Sequence, residues 1–305
     1  MTGYLLRRVW QFAIVILGVS AVTFAITNMT GNPAALLLPP DASAAQVEAL
    51  TKRLGLDAPL HVQYWRFLSN AVQGDFGNSL RQGRPAMEVV LERAPATALL
   101  GLTALALSVL VALPVGTFSA IKRGTPFDTT ATALVLMGQS LPSFWLGLMI
   151  ILVFGVTLRW LPISGTGSLL HLVGPALTLS FFPTARNVRL LRSSVIETMT
   201  QDYVHTARAK GLPEHKVIRK HVLRNALIPF VTVVALQIGF LLGGAVIVET
   251  IFAWPGIGRL MIQAVQGRDF PVIQAGVILI ATTFMVVNLL TDLLYGALNP
   301  RIRLR

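Results

Sequence analysis

The sequence predicts an all-α membrane protein, organised as a bundle of six transmembrane helices. Of its 305 residues, 54% are hydrophobic and only 12% are charged, with a mean hydropathy of +0.68. A soluble domain has about 25% charged residues. Six apolar stretches have roughly the 20 residues that an α-helix needs to cross a bilayer. They are residues 9–26, 96–121, 132–158, 172–195, 226–248 and 272–294.

The first apolar stretch is predicted to be an uncleaved membrane helix within residues 1–28. Arg7 and Arg8 precede it, as the basic residues of a signal peptide do. The stretch is long for a signal peptide, however, and Asn28 to Gly31 make a poor cleavage site. We therefore expect this helix to remain in the membrane.

Residues 29–95 are predicted to form a folded extracytoplasmic segment. Acidic and basic residues alternate there, and turn signals such as Asn32-Pro33 recur. The segment is too short to bury a large independent core. The remainder, residues 96–305, is expected to be the core transmembrane domain.

Proline occurs in several of the predicted spans, where neighbouring helices are expected to satisfy the freed backbone groups. These prolines include Pro114, Pro142, Pro175 and Pro183. The fourth span also carries basic residues in its second half, which we place at or beyond the cytoplasmic end. They are Arg186, Arg189 and Arg192.

The distribution of charge predicts that both termini are cytoplasmic. An even number of spans places them on one side, and cytoplasmic loops carry an excess of Lys and Arg. With the N-terminus inside, the cytoplasmic side holds 16 of the 25 basic residues and five of the 13 acidic ones, a net charge of +11. The outer side then has a net charge of +1. The overall charge of +12 thus reports membrane topology rather than binding to nucleic acid.

The most polar stretch between two predicted spans is residues 202–225. Gly211 and Pro213 divide it into two predicted short helices, about 202–210 and 213–225, because Gly suits a helix end and Pro a helix start. Lys216, Lys220 and Arg224 form one basic stripe on the second helix. Another face of that helix is apolar and carries Val217, Ile218 and Val222. Two interpretations remain open: a solvated loop that only orients the protein, or a rigid helix pair that docks on a partner.

The loop after the fifth span, Glu249 to Gly258, is predicted to be compact and either re-entrant or interfacial. Trp254 in this loop fits an interfacial aromatic belt as well as it fits a role in substrate handling.

No motif for catalysis, cofactor binding or metal binding is found in the sequence. No Gly is followed by Lys, so a phosphate-binding loop is excluded, and the His-Glu-x-x-His and Gly-x-Ser-x-Gly motifs are absent. The chain has no cysteine. We therefore predict no catalytic, cofactor or metal site, and we expect the chain not to hydrolyse ATP itself.

The segment Tyr203-Val-His-Thr-Ala-Arg-Ala-Lys-Gly211, followed by His221-Val-Leu-Arg-Asn225-Ala, resembles the cytoplasmic loop of binding-protein-dependent ABC importer permeases. The closest likeness is to the dipeptide, oligopeptide, glutathione and nickel branch. Shorter motifs extend the resemblance along the whole chain. They include Tyr4-Leu-Leu-Arg-Arg8, Leu54-Gly-Leu-Asp57, Gly74-Asp-Phe-Gly77, Leu141-Pro-Ser-Phe-Trp145, Trp160-Leu-Pro162, Arg268-Asp-Phe-Pro271 and Asn299-Pro-Arg301.

The resemblance implies the type I ABC importer permease fold and an inner-membrane permease subunit for peptides or peptide-like solutes such as glutathione. It implies as partners a paralogous second permease, two ATP-binding-cassette ATPase subunits and an extracytoplasmic solute-binding protein. The loop would couple to an ATPase subunit through Ala207, Arg208, Ala209, Lys210, Gly211, His221 and Asn225. This chain has His205-Thr206 where the wider superfamily has Glu-Ala. The resemblance therefore does not establish an ATPase contact at His205.

The translocation path is predicted to be lined by weakly polar side chains that hold no solute tightly, namely Thr178, Ser180 and Gln237. One alternative is a permease for nickel or a nickel chelate, although His and carboxylate ligands are scarce in the spans. Another is an ion-coupled secondary transporter, which usually has ionisable groups at mid-membrane or inverted repeats.

Overall fold

The computed structural model describes residues 2–29, 38, 42–53 and 55–298. Within these residues the secondary structure is helical, apart from turns and one isolated bridge between Asn78 and Pro85. The predicted turn at residues 31–33 and the C-terminal residues 299–305, with three of the predicted cytoplasmic arginines, lie outside the described residues. The chain divides into two compact units, residues 2–95 with 260–285 and residues 96–259 with 286–298.

The first unit contains the N-terminal helix and the short helices that follow it. They are α1 (Thr2–Met29), α2 (Ala44–Arg53), α3 (Leu60–Val72) and α4 (Ala86–Leu91). The helices α1 and α3 meet through aromatic rings, with the Phe24 and Tyr64 centroids 5.3 Å apart. The Tyr64 hydroxyl is 2.9 Å from that of Ser20. Later in the chain, buried Asp269 accepts hydrogen bonds from Ser79 Oγ and from the Leu80 backbone N–H.

The second unit contains most of the long helices. They are α5 (Ala94–Ile121), α6 (Pro126–Ser140), α7 (Ser143–Ile150) with a π-helical extension (Ile151–Thr157), α8 (Leu170–Met199), α9 (Asp202–Ala209), α10 (Glu214–Lys216) with a π-helical extension (Val217–Val222), and α11 (Leu223–Ile251). Two further helices, α12 (Ile257–Gln266) and α13 (Phe270–Leu298), have residues in both units.

The predicted span 132–158 is not one straight helix. It is the pair α6 and α7, bent by 105° at a short break. Leu141 in the break has φ −80° and ψ 126°, because the ring of Pro142 disfavours the helical region for the residue before it. The other prolines predicted in spans, together with Pro229, lie inside helices.

The predicted helix 213–225 and the predicted span 226–248 are also not separate. They form one continuous helical run from Glu214 to Ile251. No Gly or Pro occurs between residues 214 and 228 to end the helix. The π-helical residues Val217–Val222 lie inside this run.

Four helical stretches in the described residues are long and apolar enough to cross a membrane, or five if the bent pair is one span. They are Leu6–Thr27, Ala86–Ile121, Glu214–Gly239 and Phe270–Leu293. The helix that contains the predicted fourth span, α8, does not belong to this set, and three arginines lie in its second half. The count of six spans therefore remains a prediction.

Candidate functional site

The loop between α8 and α11 is a helix–turn–helix whose turn depends on Gly211. Gly211 has φ +74°, the left-handed conformation that glycine adopts without steric cost. Its N–H donates to the Arg208 carbonyl over 2.9 Å, which ends α9. Pro213 has an extended backbone and precedes α10. The predicted division at Gly211 and Pro213 is confirmed. We call residues 202–225 the docking loop, after the partner contact that the resemblance implies.

An ion pair closes the docking loop across this turn. Arg208 donates from Nη2 to Glu214 Oε1 over 2.7 Å and from Nε to Oε2 over 3.2 Å. These hydrogen bonds raise the pKa of Arg208 above its ordinary value and lower the pKa of Glu214. The Arg208 charge is therefore engaged within the chain, and the bidentate geometry fixes the direction of α9 relative to α10.

The apolar side of the docking loop packs into the second unit. Val204, Val217 and Val222 are fully buried, in one cluster with Leu191 and Val195 of α8. The prediction that residues 217, 218 and 222 share an apolar face is confirmed. Because the loop is anchored by this cluster, its geometry fits a rigid helix pair better than a solvated connection.

The residues predicted to couple to an ATPase differ in exposure. Ala207 is buried in the same cluster, so of the two small residues only Ala209 faces outward. Arg208 and His221 are half-buried, and Asn225, which is exposed, donates from Nδ2 to the His221 carbonyl over 2.8 Å. The exposed polar surface includes Lys210, Gly211 and the basic residues Lys216, Lys220 and Arg224.

The residues predicted to line the path are buried and bonded inside the chain. Thr178 and Ser180 donate to the carbonyls of Gly174 and Leu177 on their own helix. Gln237 exchanges two hydrogen bonds with the Asn187 side chain, at 2.7 and 3.1 Å. Their role in the path remains a prediction, and it requires the helices around them to separate.

A row of hydroxyl groups on α5 was not predicted from the sequence. Thr97, Ser108 and Ser119 are all buried and lie 11 residues apart. Eleven residues make about three turns of an α-helix, so the three hydroxyls lie on one face. Each one contacts a buried polar side chain of a different helix, namely Glu249 of α11, Asn187 of α8 and Asp128 of α6. Thr103 and Thr117 also lie on α5, so the sequence alone does not single out these three hydroxyls.

At one end of this row, Glu249 organises the loop that follows α11. Glu249 is fully buried. Its Oε1 accepts from Thr97 Oγ1 over 2.6 Å, and its Oε2 accepts from the Arg259 N–H over 3.1 Å. Thr97 in turn accepts from the Ile257 N–H over 2.8 Å. The carboxylate and hydroxyl thus satisfy two backbone donors at the start of α12.

Trp254 belongs to the interior of this loop, so the interpretation as a lipid-facing belt residue is wrong. The ring is 5% exposed, and its Nε1 donates to the Ala96 carbonyl over 2.9 Å. Gly256 in the same loop leaves no room for a side chain, because a Cβ there would overlap the Glu249 carboxylate.

At the other end of the row, Asp128 holds three segments together, and we call this group the inner clasp. Arg192 donates from Nε and Nη2 to the two Asp128 oxygens over 2.7 and 2.8 Å. Ser119 Oγ and the Gly124 N–H donate to the same carboxylate. The inner clasp therefore joins the end of α5, the start of α6 and the last third of α8.

The exposure of the docking loop is testable because the chain has no cysteine. We expect Ala209→Cys to react with a water-soluble maleimide and Ser180→Cys to react at least about ten-fold more slowly, since a buried site needs local opening. Bound ATPase subunits should protect Ala209→Cys. Equal labelling rates at the two positions, in membranes opened to the reagent on both sides, would contradict this arrangement.

The chain matches two family descriptions over almost its full length. Residues 112–304 match the binding-protein-dependent transport system inner membrane component, and residues 1–101 match the N-terminal membrane component of such systems. The glutathione transport system permease proteins GsiC of Escherichia coli (strain K12) and Salmonella choleraesuis (strain SC-B67) are each 41% identical over 304 residues. The match covers 99% of this chain and 99% of each relative.

Solved ABC transporters share the fold. An inward-facing MetNI methionine ABC transporter matches with a TM-score of 0.59 at 18% identity, over 70% of this chain and 97% of that one. An amino acid ABC transporter crystallised with histidines matches with a TM-score of 0.54 at 17% identity, over 70% and 94%. Together with the family matches, these findings show that the chain belongs to the binding-protein-dependent transport system inner membrane components, the permease subunits of ABC importers.

Proposed function

We propose that this permease carries glutathione or other small peptides and forms half of the translocation pathway of an ATP-driven importer. The observation that supports this substrate class is the 41% identity, over 99% of both chains, to permeases of glutathione transport systems. The pathway would be completed by a paralogous second permease. An extracytoplasmic solute-binding protein would deliver the solute.

ATP hydrolysis takes place in two separate ATP-binding-cassette subunits in this proposal. The chain itself has no phosphate-binding loop. The docking loop would receive one ATPase subunit through Ala209, Lys210 and Gly211. Its exposed basic stripe would pair with acidic groups on that subunit. Buried Ala207 and the Arg208–Glu214 pair would fix the shape of the surface, and His221 and Asn225 would support the second helix.

The membrane arrangement in this proposal has six spans with both termini in the cytoplasm. Each of the four apolar stretches contributes one span, and the bent pair of α6 and α7 contributes a fifth. In the stretch that begins at Glu214, the residues up to Asn225 lie in the cytoplasm in this proposal, and the span begins at Ala226. The sixth is α8, whose 30 residues extend about 45 Å, longer than the roughly 30 Å hydrocarbon core of a bilayer. Residues 1–28, 29–95 and 96–305 would then be the N-terminal helix, the extracytoplasmic segment and the core permease domain.

Reporter fusions test this topology. A reporter after Arg305 should be active in the cytoplasm, and one inserted near Asn70 should be active outside it, because the charge difference of +11 against +1 orients the chain. Activity of the first reporter outside the cytoplasm and of the second inside it would contradict this topology. It would also contradict a cytoplasmic position of the docking loop.

The path is proposed to open between helices rather than through a preformed channel in this subunit. Thr178, Ser180 and Gln237 are buried here and would reach the solute only after α8 and α11 move apart. The isolated chain should therefore bind glutathione no more tightly than about the millimolar range typical of a weak encounter. Micromolar binding by the isolated chain, measured calorimetrically in detergent, would contradict a path without a tight site.

The substrate is best identified through the partner that selects it. Affinity purification of this chain from its own membranes should recover a solute-binding protein and the ATPases. Mass spectrometry of the ligand released from that binding protein should find glutathione or a short peptide. Release of a nickel chelate would overturn the substrate class while leaving the permease assignment intact.

A further inference from the structure

The inner clasp is a group of charged and polar side chains that the docking surface itself does not use. Asp128 is 5% exposed, and the Arg192 side chain is 26% exposed. Their hydrogen bonds link residues that are 64 positions apart in the sequence. We propose that Asp128 and Arg192 are positioning residues for energy coupling, which carry the movement of the docking loop to α5 and α6. This proposal rests on the proposed function, because it presumes an ATPase on the docking loop.

The chain is stiff between the clasp and the docking loop. Arg192 lies two turns before the end of α8 at Met199. Only Thr200 and Gln201 separate α8 from α9. The apolar cluster around Val195 and Val204 fixes α9 on α8. A displacement of α9 therefore reaches Arg192 without passing through a flexible segment.

From Arg192 the displacement can pass to α5 and α6 by two routes. One is apolar packing, in which Ala112, Ala120 and Val135 touch the same cluster. Apolar contacts are non-directional, so they define the orientation of two helices less sharply than hydrogen bonds do. The other is the inner clasp, where two parallel charge-assisted bonds fix both distance and orientation. The inner clasp is therefore the directional contact between α6 and α8, beside the close packing of Gly138 on Ala185.

The backbone around Asp128 strengthens this connection. Asp128 lies in the first turn of α6, where Thr125 caps the helix and accepts from the Asp128 N–H. Its carboxylate also accepts from Ser119 at the end of α5 and from the Gly124 N–H in the intervening turn. A single carboxylate thus ties α5, the turn and α6 to one guanidinium. Breaking the pair would leave a buried charge without its partner. A state in which Asp128 and Arg192 are separated is therefore unfavourable.

The first experiment measures this rigidity in the assembled transporter. Spin labels are introduced at Thr129→Cys on α6 and Gln201→Cys at the start of α9, both exposed positions in a cysteine-free chain. We expect the distance between the labels to change by no more than about 2 Å between the nucleotide-free and ATP-bound states. In the Asp128→Asn variant, the distribution of distances between the two labels should be broader than in the wild type. A change of about one helical turn, ~5 Å, in the wild type would overturn the proposal.

The second experiment measures coupling in proteoliposomes that contain all subunits and the binding protein, with labelled glutathione as the probe. The Asp128→Asn variant should carry about three- to thirty-fold less glutathione per ATP hydrolysed, the range found for residues that transmit coupling. Arg189→Gln, an exposed arginine on the same helix, is the matched control and should leave this ratio unchanged. An unchanged ratio in Asp128→Asn would overturn the proposal.

Two further variants separate positioning from simple stability. The double variant Asp128→Asn with Arg192→Gln leaves no unpaired charge, so it should assemble even if the single variant does not. It should nevertheless remain uncoupled. If the double variant restores both assembly and coupling, the pair has a structural role only. Ser119→Ala retains the ion pair and should give a smaller loss than Asp128→Asn.

These outcomes are distinct from a failure of the proposed function. If the wild-type complex carries no glutathione in the presence of ATP, the substrate or the energy source is wrong. The spin-label distances would still test the clasp, because they require only the assembled complex and nucleotide.

Discussion

Replacing Glu249 by alanine should strongly destabilise the permease. The carboxylate is fully buried and accepts from Thr97 and from the Arg259 N–H. A hydrogen bond is worth about 0.5–1.5 kcal/mol, and a donor left without a partner costs about 1–3 kcal/mol. We expect the apparent Tm of the purified chain in detergent to fall by roughly 5–15 °C, corresponding to a loss of about 2–4 kcal/mol. Glu197→Ala removes an exposed carboxylate and should leave the Tm unchanged.

A second substitution makes this prediction specific to the geometry of the loop. Gly256→Ala alone should also be destabilising, because its Cβ would overlap the Glu249 carboxylate. In the Glu249→Ala background that overlap no longer exists. The two effects should therefore be strongly non-additive, as expected for groups in contact. Additive losses in the double variant would show that the loop does not fold around Glu249.

Replacing Gly211 by valine should disconnect the permease from its ATPase while leaving the membrane bundle intact. A side chain at φ +74° costs about 1–2 kcal/mol for an L-residue, and a β-branched residue is the least tolerant. No atom lies within 4 Å of the Cβ position, so the effect arises from the backbone and not from a collision. We expect affinity for the ATPase subunits to fall about five- to thirty-fold, since 1.4 kcal/mol is a factor of ten.

Gly211→Asn is the matched control for this experiment, because asparagine tolerates the left-handed conformation. It should retain most of the ATPase co-purification and uptake that valine reduces, at equal membrane levels. Normal coupling in Gly211→Val would remove the role that we assign to the turn. An equal loss in both variants would mean that the side chain itself blocks the partner.

The sequence predicted the features of this chain that depend on local chemistry. Apolar runs of membrane length form helices because a bilayer offers the backbone no other partner. The turn at Gly211 and Pro213 follows from the backbone preferences of those two residues. The basic and apolar sides of the second docking helix follow from helical spacing, and the buried valines confirm them.

The features that could not be predicted from the sequence depend on tertiary contacts. Pro142 breaks its helix whereas Pro114 and Pro183 lie inside theirs, and nothing adjacent to these prolines in the sequence distinguishes them. Thr97 and Glu249 are 152 residues apart in sequence. Which hydroxyl groups of α5 are buried, and what they contact, could not be known before the helices were placed. The hydrogen bonds between Gln237 and buried Asn187 also could not be predicted, because they join two different helices.

The central claim is that ATP drives this permease through its docking loop. The most direct test is to measure which energy source uptake requires. Proteoliposomes are prepared with this chain, its sister permease, both ATPases and the binding protein, and glutathione uptake is followed with ATP inside the lumen that faces the docking loops. We predict uptake that requires hydrolysable ATP, that persists when proton and sodium gradients are collapsed, and that is lost with Gly211→Val but not with Gly211→Asn. Uptake driven by an ion gradient in the absence of ATP would contradict this mechanism.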